Sequence, residues 1–181
     1  YLCQILEEKG VPTHFVKELD ERRTLVKKVE IVPLEVIIRN KAAGSFSKRY
    51  GVEEGTPLKC STLEFSYKND DLGDPLMNSY MALALDLATK EEIDTISEMA
   101  FKVNEVLKEV FAGVGIELID FKLEFGRYHG QIILADEISP DTCRYWDMKT
   151  HDHLDKDRFR RDLGDAEGAY QEVYRRLGLD K

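Results

Sequence analysis

Three short stretches carry residue types that can do chemistry on phosphates. In "IDFKLEFGR" (119–127), Asp120, Lys122 and Glu124 alternate with Phe121, Leu123 and Phe125, and Asp136-Glu137 close the apolar run 132–135 shortly after. Carboxylates gathered around one lysine suit a magnesium-nucleotide site, with hard oxygens for the metal and a cation for the phosphates. In "RNKAAGS" (39–45), Arg39 ends an extended run and Ser45 stands where a helix begins. A guanidinium, a hydroxyl and free helix amides can then share one phosphate. In "DKDRFRRD" (155–162), Lys156, Arg158, Arg160 and Arg161 are interleaved with acids. Each stretch also has a plainer reading: a solvated row of charge, a routine strand-to-helix connection, and an exposed helix laced with ion pairs.

Successive strand residues point to opposite faces, so Asp120, Lys122 and Glu124 share one side of a strand and Phe121, Leu123 and Phe125 the other. A hairpin from about Glu117 to Glu137, turning through a symmetric loop from Gly126 to Gly130, would pair 125 with 131 and set 120 opposite 136. Asp136 would then join the charged face. Upstream, "YLCQILEEKG" reads as a helix end closed by Gly10. "THFVKEL" and "TLVKKVEIV" read as strands, with Pro33 separating the second from "LEVIIRN". Residues 41–50 are helical in composition and stop at Gly51, and a strand ending at Lys68 leads into a turn-rich loop. Thr89 and Glu92 form a capping box for a helix over 89–112, with a stripe at Ile93, Ile96, Ala100, Val103, Leu107 and Val110. The tail reads as one or two amphipathic helices broken near Gly164. Helices do not alternate regularly with strands, which predicts an α+β fold with antiparallel sheets and packed helices.

The 181 residues suffice for a sizeable core, and 43% hydrophobic with 34% charged residues is a globular balance. A net charge of -9 argues against a general nucleic-acid binder, which needs a basic face. It also makes local Arg and Lys clusters more informative. The three cysteines, Cys3, Cys60 and Cys143, form no CxxC pair, so a reducing, cytoplasmic setting is expected. No stretch approaches 18 apolar residues and no leader-like segment opens the chain, so no membrane partner is expected. "HDH" at 151–153 reads as a solvated turn rather than a metal site, Tyr145 and Trp146 as core or rim, and Cys143 as lacking a base that would make it a nucleophile.

Taken together, "VEIVPLEVIIRNKAAGSFSKRYG", "EFSYKNDDLGDPLMN", "IDFKLEFGR", "LADEISPDTCRYWD" and "LDKDRFRRDLG" resemble the blocks of the bacterial SAICAR synthetases, in order and at similar spacing over nearly the whole chain. The resemblance implies a two-lobed ATP-binding fold and a ligase of purine biosynthesis. ATP phosphorylates the carboxylate of carboxyaminoimidazole ribonucleotide (CAIR), and L-aspartate displaces the phosphate to give the succinocarboxamide (SAICAR). It implies ATP and Mg²⁺ as cofactors, and a cytoplasmic homodimer. By matching position, Lys122 would contact nucleotide or the reacting carboxylate, and Asp120 would help fix Lys122. Glu124 and Asp136 would serve magnesium and the ATP phosphates, while Lys68 and Asp74 would lie beside nucleotide and CAIR. Arg39 and Ser45 would hold the CAIR phosphate, Asp141 and Arg144 would contact CAIR or aspartate, and Lys156 and Arg160 would close over the anionic groups. Residues 1–32 would belong to an N-terminal ATP-binding lobe, with Lys28 to Pro33 passing the adenine as a hinge, and 33–181 to a C-terminal lobe.

The family also carries a glycine-and-lysine phosphate motif of the type G-K-A-K, which this sequence does not contain, and Tyr1 opens inside a helix. Part of the N-terminal lobe is therefore expected to lie outside these 181 residues, and added upstream residues are expected to improve folding and ATP binding. Two other functions fit the same residues: an ATP-dependent phosphotransferase acting on another substrate, and an inactive remnant that binds anions.

Overall fold

In the computed structural model, which describes residues 1–179, the longest helix begins where the capping box predicts. The Glu92 amide donates to Thr89 Oγ1 (3.1 Å) and the Thr89 amide to Glu92 Oε1 (3.0 Å). These bonds satisfy donors that the first turn otherwise leaves open. In chain order the elements are α1 (Leu2–Glu8), β1 (Phe15–Asp20), β2 (Arg23–Val26), β3 (Glu30–Lys41), α2 (Gly44–Tyr50) and β4 (Pro57–Tyr67). A 3-10 turn (Asp70–Leu72), β5 (Leu76–Met77), α3 (Ser79–Ala84), α4 (Lys90–Ala112), β6 (Ile116–Tyr128) and β7 (Gln131–Ala135) follow. The chain continues with β8 (Cys143–Asp147), α5 (Asp157–Arg160) and α6 (Ala166–Arg176). In α4 the residues Ile93, Ile96, Ala100, Val103 and Leu107 are buried as their spacing predicts, with Phe111 in the place expected of Val110.

Strands β1 and β2 form a two-stranded antiparallel sheet, and the other strands form a sheet in the order β5-β4-β3-β6-β7, with β8 on β6. The β4–β5, β6–β7 and β6–β8 pairs are antiparallel. The architecture is the expected α+β one. The chain divides into two units: Tyr1–Ile37, Leu63–Val106 and Lys122–Glu137 in the first; Ile38–Thr62, Leu107–Phe121 and the segment from Ile138 onward in the second. The boundaries fall within β3, β4, α4 and β6 and in the loop between β7 and β8. Residues 180 and 181, the end of the expected second lobe, lie outside the described residues.

Four expectations are corrected. Strand β3 runs through Pro33, and the break falls at residues 27–29 instead. Proline close to a strand end removes one donor only, and the Pro33 carbonyl still accepts from the Lys68 amide (3.0 Å). The β6–β7 turn is not a five-residue loop. Tyr128 pairs with Gln131 and Glu124 with Ala135, around a two-residue turn in which His129 (φ 49) and Gly130 (φ 77) are both left-handed. Gly126, which looked like a loop residue, lies inside β6: a Cβ there would come within 2.5 Å of Val29 Cγ2, so the glycine permits a close approach. Asp120 therefore does not face Asp136 but pairs with Arg144 on β8, a strand not expected from the sequence. The short helix α3 was also unexpected.

Candidate active site

Lysine and carboxylate meet twice in the first unit. From β6, Lys122 Nζ donates to Glu35 Oε1 of β3 (2.9 Å). Lys68, one residue past β4, donates to Glu124 Oε2 of β6 (2.6 Å). Both carboxylates are buried, whereas the Lys122 and Lys68 side chains are 39% and 41% exposed. The Glu124 hydrogen bond, opposed by partial burial, raises the Lys68 pKa, and the charges of Glu124, Asp136 and Glu35 add to the rise. Asp136, left-handed at φ 62 and exposed at the end of β7, thus contributes to the same local field. An ammonium has three donors, so each lysine keeps N–H groups for a ligand after bracing its carboxylate. Asp74 is committed in part to its own loop, where one carboxylate oxygen accepts from the Asn69 amide (2.8 Å).

The second unit holds a guanidinium cluster. Arg39, 2% exposed, donates from Nη1 to Asp120 Oδ2 (2.8 Å) and to the Ala43 carbonyl (3.3 Å), and from Nη2 to Ser45 Oγ (3.0 Å). Arg144 donates from Nη1 to both Asp120 oxygens (3.0 and 2.9 Å) and from Nε to Asp157 Oδ2 (2.9 Å). Arg160 Nη1 reaches Asp157 Oδ1 (3.3 Å). A register shift between Leu118 and Asp120 interrupts the β6–β8 ladder beside this cluster, as bulges often do where a side chain must be re-aimed. Burial pushes the Asp120 carboxyl up, against the pull of Arg144 and Arg39. Burial also acts to raise Asp157, but His153, Arg144 and Arg160 hold it well below the usual carboxylate range. Burial pulls Arg144 down and its two carboxylates more than offset this, so the guanidinium stays charged.

The expectation that Asp120 fixes Lys122 is therefore corrected. Both Asp120 oxygens are taken by Arg39 and Arg144, and Glu35 braces Lys122. Asp141 and Lys156 line a cavity of about 530 Å³ with Phe159, Tyr170 and Tyr174, and the Tyr170 hydroxyl donates to Asp141 Oδ1 (2.8 Å). Burial and Asp141 both raise the Tyr170 pKa, which keeps it a donor at neutral pH. His153 is not the solvated turn residue expected: it is partly buried, with its ring 5.1 Å from that of Trp146. Ligand atoms of His153, Asp155 and Asp157 lie within 4.8 Å of one another. Asp155, however, accepts from the Tyr145 and Asp157 amides (2.8 Å each), and Asp157 is committed to arginines. That trio holds a loop together. Tyr145 and Trp146 are buried, and burial pushes the Cys143 thiol up to about 12, so it is no nucleophile at neutral pH.

Glu35, Gly44, Asp157 and Tyr170 were not singled out from the sequence. Glu35 had a readable signal, a lone acid within the apolar run "VPLEVII". Asp157 was legible only as one of the acids interleaved with the cations of 155–162, and Tyr170 had no signal, because its partner Asp141 lies on a separate segment.

The SAICAR synthetase family model matches residues 1–177. A phosphoribosylaminoimidazole-succinocarboxamide synthase of Lachnoclostridium phytofermentans is 69% identical over 180 residues, covering 99% of this chain and 77% of that protein. A protein of the same name from Clostridium botulinum is 63% identical, covering 97% and 75%. Among solved structures, the Ehrlichia chaffeensis phosphoribosylaminoimidazole-succinocarboxamide synthase superposes with a TM-score of 0.97 at 47% identity, covering 99% of this chain and 78% of that one. A SAICAR synthetase in complex with ADP gives 0.96 at 50% identity, covering 99% and 77%.

Proposed function

The chain belongs to the SAICAR synthetase family, and from that premise we propose how its residues divide the work. It is an ATP-dependent ligase of purine biosynthesis that joins L-aspartate to CAIR to give SAICAR, ADP and phosphate. Residues 1–32 belong to an ATP-binding lobe and the remainder to a lobe carrying the substrate and metal groups and part of the nucleotide site. A cytoplasmic homodimer without nucleic-acid or membrane partners is part of the same proposal. Among the described residues, no helix is long and apolar enough to cross a membrane.

The observation that carries the division is the pair of guanidiniums, Arg39 and Arg144, clamped on the one carboxylate of Asp120 beside Ser45. Such fixed donors suit a phosphate that is held and does not react, the one on CAIR. The lysine–carboxylate pairs of the first unit suit the ATP phosphates and the reacting carboxylate. There Lys122 offsets charge as the γ-phosphoryl passes to a CAIR carboxylate oxygen, breaking the bond to the ADP oxygen. The aspartate amine then attacks the acyl carbon, forming the C–N bond and expelling phosphate. With CAIR labelled by ¹⁸O in that carboxylate, one label should appear in the released phosphate. Unlabelled phosphate would rule out the acyl phosphate.

Magnesium fits the first unit by the chemistry of its donors. Glu124 commits Oε2 to Lys68 and keeps its other oxygen, and Asp136 is an exposed carboxylate in the same local field. Magnesium takes one or two carboxylates and completes its shell with phosphate oxygens and water. When bound it would shield the phosphate charges. Glu124→Gln and Asp136→Asn should each weaken magnesium-dependent ADP binding by about tenfold, since an amide is a poorer hard-oxygen ligand. Titration calorimetry with and without magnesium checks this. An equal loss without magnesium would mean that these residues touch nucleotide rather than metal.

A further inference from the structure

Arg144 has one amino group left over. Nε and Nη1 are held by Asp157 and Asp120, and among the described residues no protein acceptor engages Nη2. That nitrogen lies against the backbone of Gly44. A Cβ built on Gly44 would sit 2.3 Å from Nη2, 2.8 Å from Cζ and 3.0 Å from Nη1, far inside van der Waals contact, so the guanidinium held by Asp120 and Asp157 would have to shift. Gly44 also has φ +54, a conformation that glycine adopts without penalty. It directly precedes Ser45, the hydroxyl that Arg39 grips.

We propose that Gly44 is a positioning residue: its missing side chain leaves the space in which the Arg144 guanidinium lies and presents its free Nη2, near the start of α2, to an anionic substrate group. This rests on the reading of the second-unit cluster as the site of the CAIR phosphate. Any Cβ at position 44 must displace the guanidinium, which breaks the alignment of Nη1 on Asp120 and moves Nη2 from its place near the start of α2. Planar two-point recognition of a phosphate tolerates little misplacement, so the damage falls on binding of that substrate.

Helix α2 supplies its own control. Gly51 closes the same helix, is also left-handed (φ +64), and has nothing within 4 Å of its would-be Cβ. Gly51→Ala therefore carries the backbone strain of a left-handed alanine without any collision. The full chain and its variants should be compared by thermal unfolding and by calorimetric titration with CAIR and with magnesium-ADP. Gly51→Ala should lower Tm by a few degrees and leave CAIR affinity within about twofold. Gly44→Ala should weaken CAIR about tenfold or more while leaving magnesium-ADP within about twofold, because the lost contact is a charge-assisted one to CAIR alone. In an Arg144→Ala background, Gly44→Ala should cost no further CAIR affinity and should lower Tm no more than Gly51→Ala does. Equal CAIR losses for the two glycine variants, or an undiminished Gly44→Ala loss without Arg144, would overturn the inference. If Arg144→Ala alone leaves CAIR binding unchanged, the substrate reading of the cluster falls. The thermal comparison in the two backgrounds then decides the placement of Arg144 by Gly44 independently.

Discussion

Asp120→Ala is expected to be strongly destabilising, at about 3–5 kcal/mol, because it removes a buried carboxylate that two guanidiniums share. Arg39 has a side chain 3% exposed, and Asp120 is its paired carboxylate. Arg144 would keep Asp157 and so retain one partner. Two ionic groups cost much to bury, and their attraction repays this only while both are present. Since a domain of this size has about 5–15 kcal/mol in hand, the variant should unfold at a much lower denaturant concentration and express poorly. Asp120→Asn preserves shape and acceptor geometry on one side and should fall between. Urea unfolding of the three proteins checks the order. An unchanged midpoint for Asp120→Ala would show that Arg39 is not held by this pair.

Lys122→Ala should have the opposite profile, with little effect on stability and a large one on chemistry. Its side chain is partly exposed on β6, so few core contacts go with it. Turnover should fall about 10²–10³-fold, the usual effect of removing one preorganised group that stabilises developing charge, about 2.7–4 kcal/mol. The substitution leaves the buried Glu35 without its ammonium, which gives the modest stability loss a specific source. Adding Glu35→Gln should recover that stability and leave turnover low. If the double variant recovered turnover as well, the lysine would be a structural partner of Glu35 and nothing more.

Much of this was legible because the pattern and the packing agree. The capping box at Thr89 and Glu92, the α4 stripe, the Gly51 stop and the apolar alternation Phe121-Leu123-Phe125 each express one local rule, and each appears as written. The hairpin register was misread because glycine has two uses. Gly126 looks like turn chemistry, yet its role is to admit Val29, a residue nearly a hundred positions earlier. For the same reason the alternating acids and lysine could be placed on one face but not assigned partners. Asp120 took arginines from β3 and β8, and Lys122 took Glu35. Strand β8 was hidden because "CRYWD" is short and its polar residues follow no alternation that separates it from a loop. Gly44 carried no signal at all, since its importance exists only once Arg144 has been brought against it.

The most direct test of the ligase assignment is ADP release measured with the full chain, magnesium-ATP and CAIR, with L-aspartate supplied or withheld. ADP and SAICAR should form in equal amounts when all three substrates are present, and sustained ADP release should cease when aspartate is left out. Sustained ADP release at the same rate without aspartate, or ADP formed with no SAICAR, would contradict the account and point to phosphoryl transfer to another acceptor.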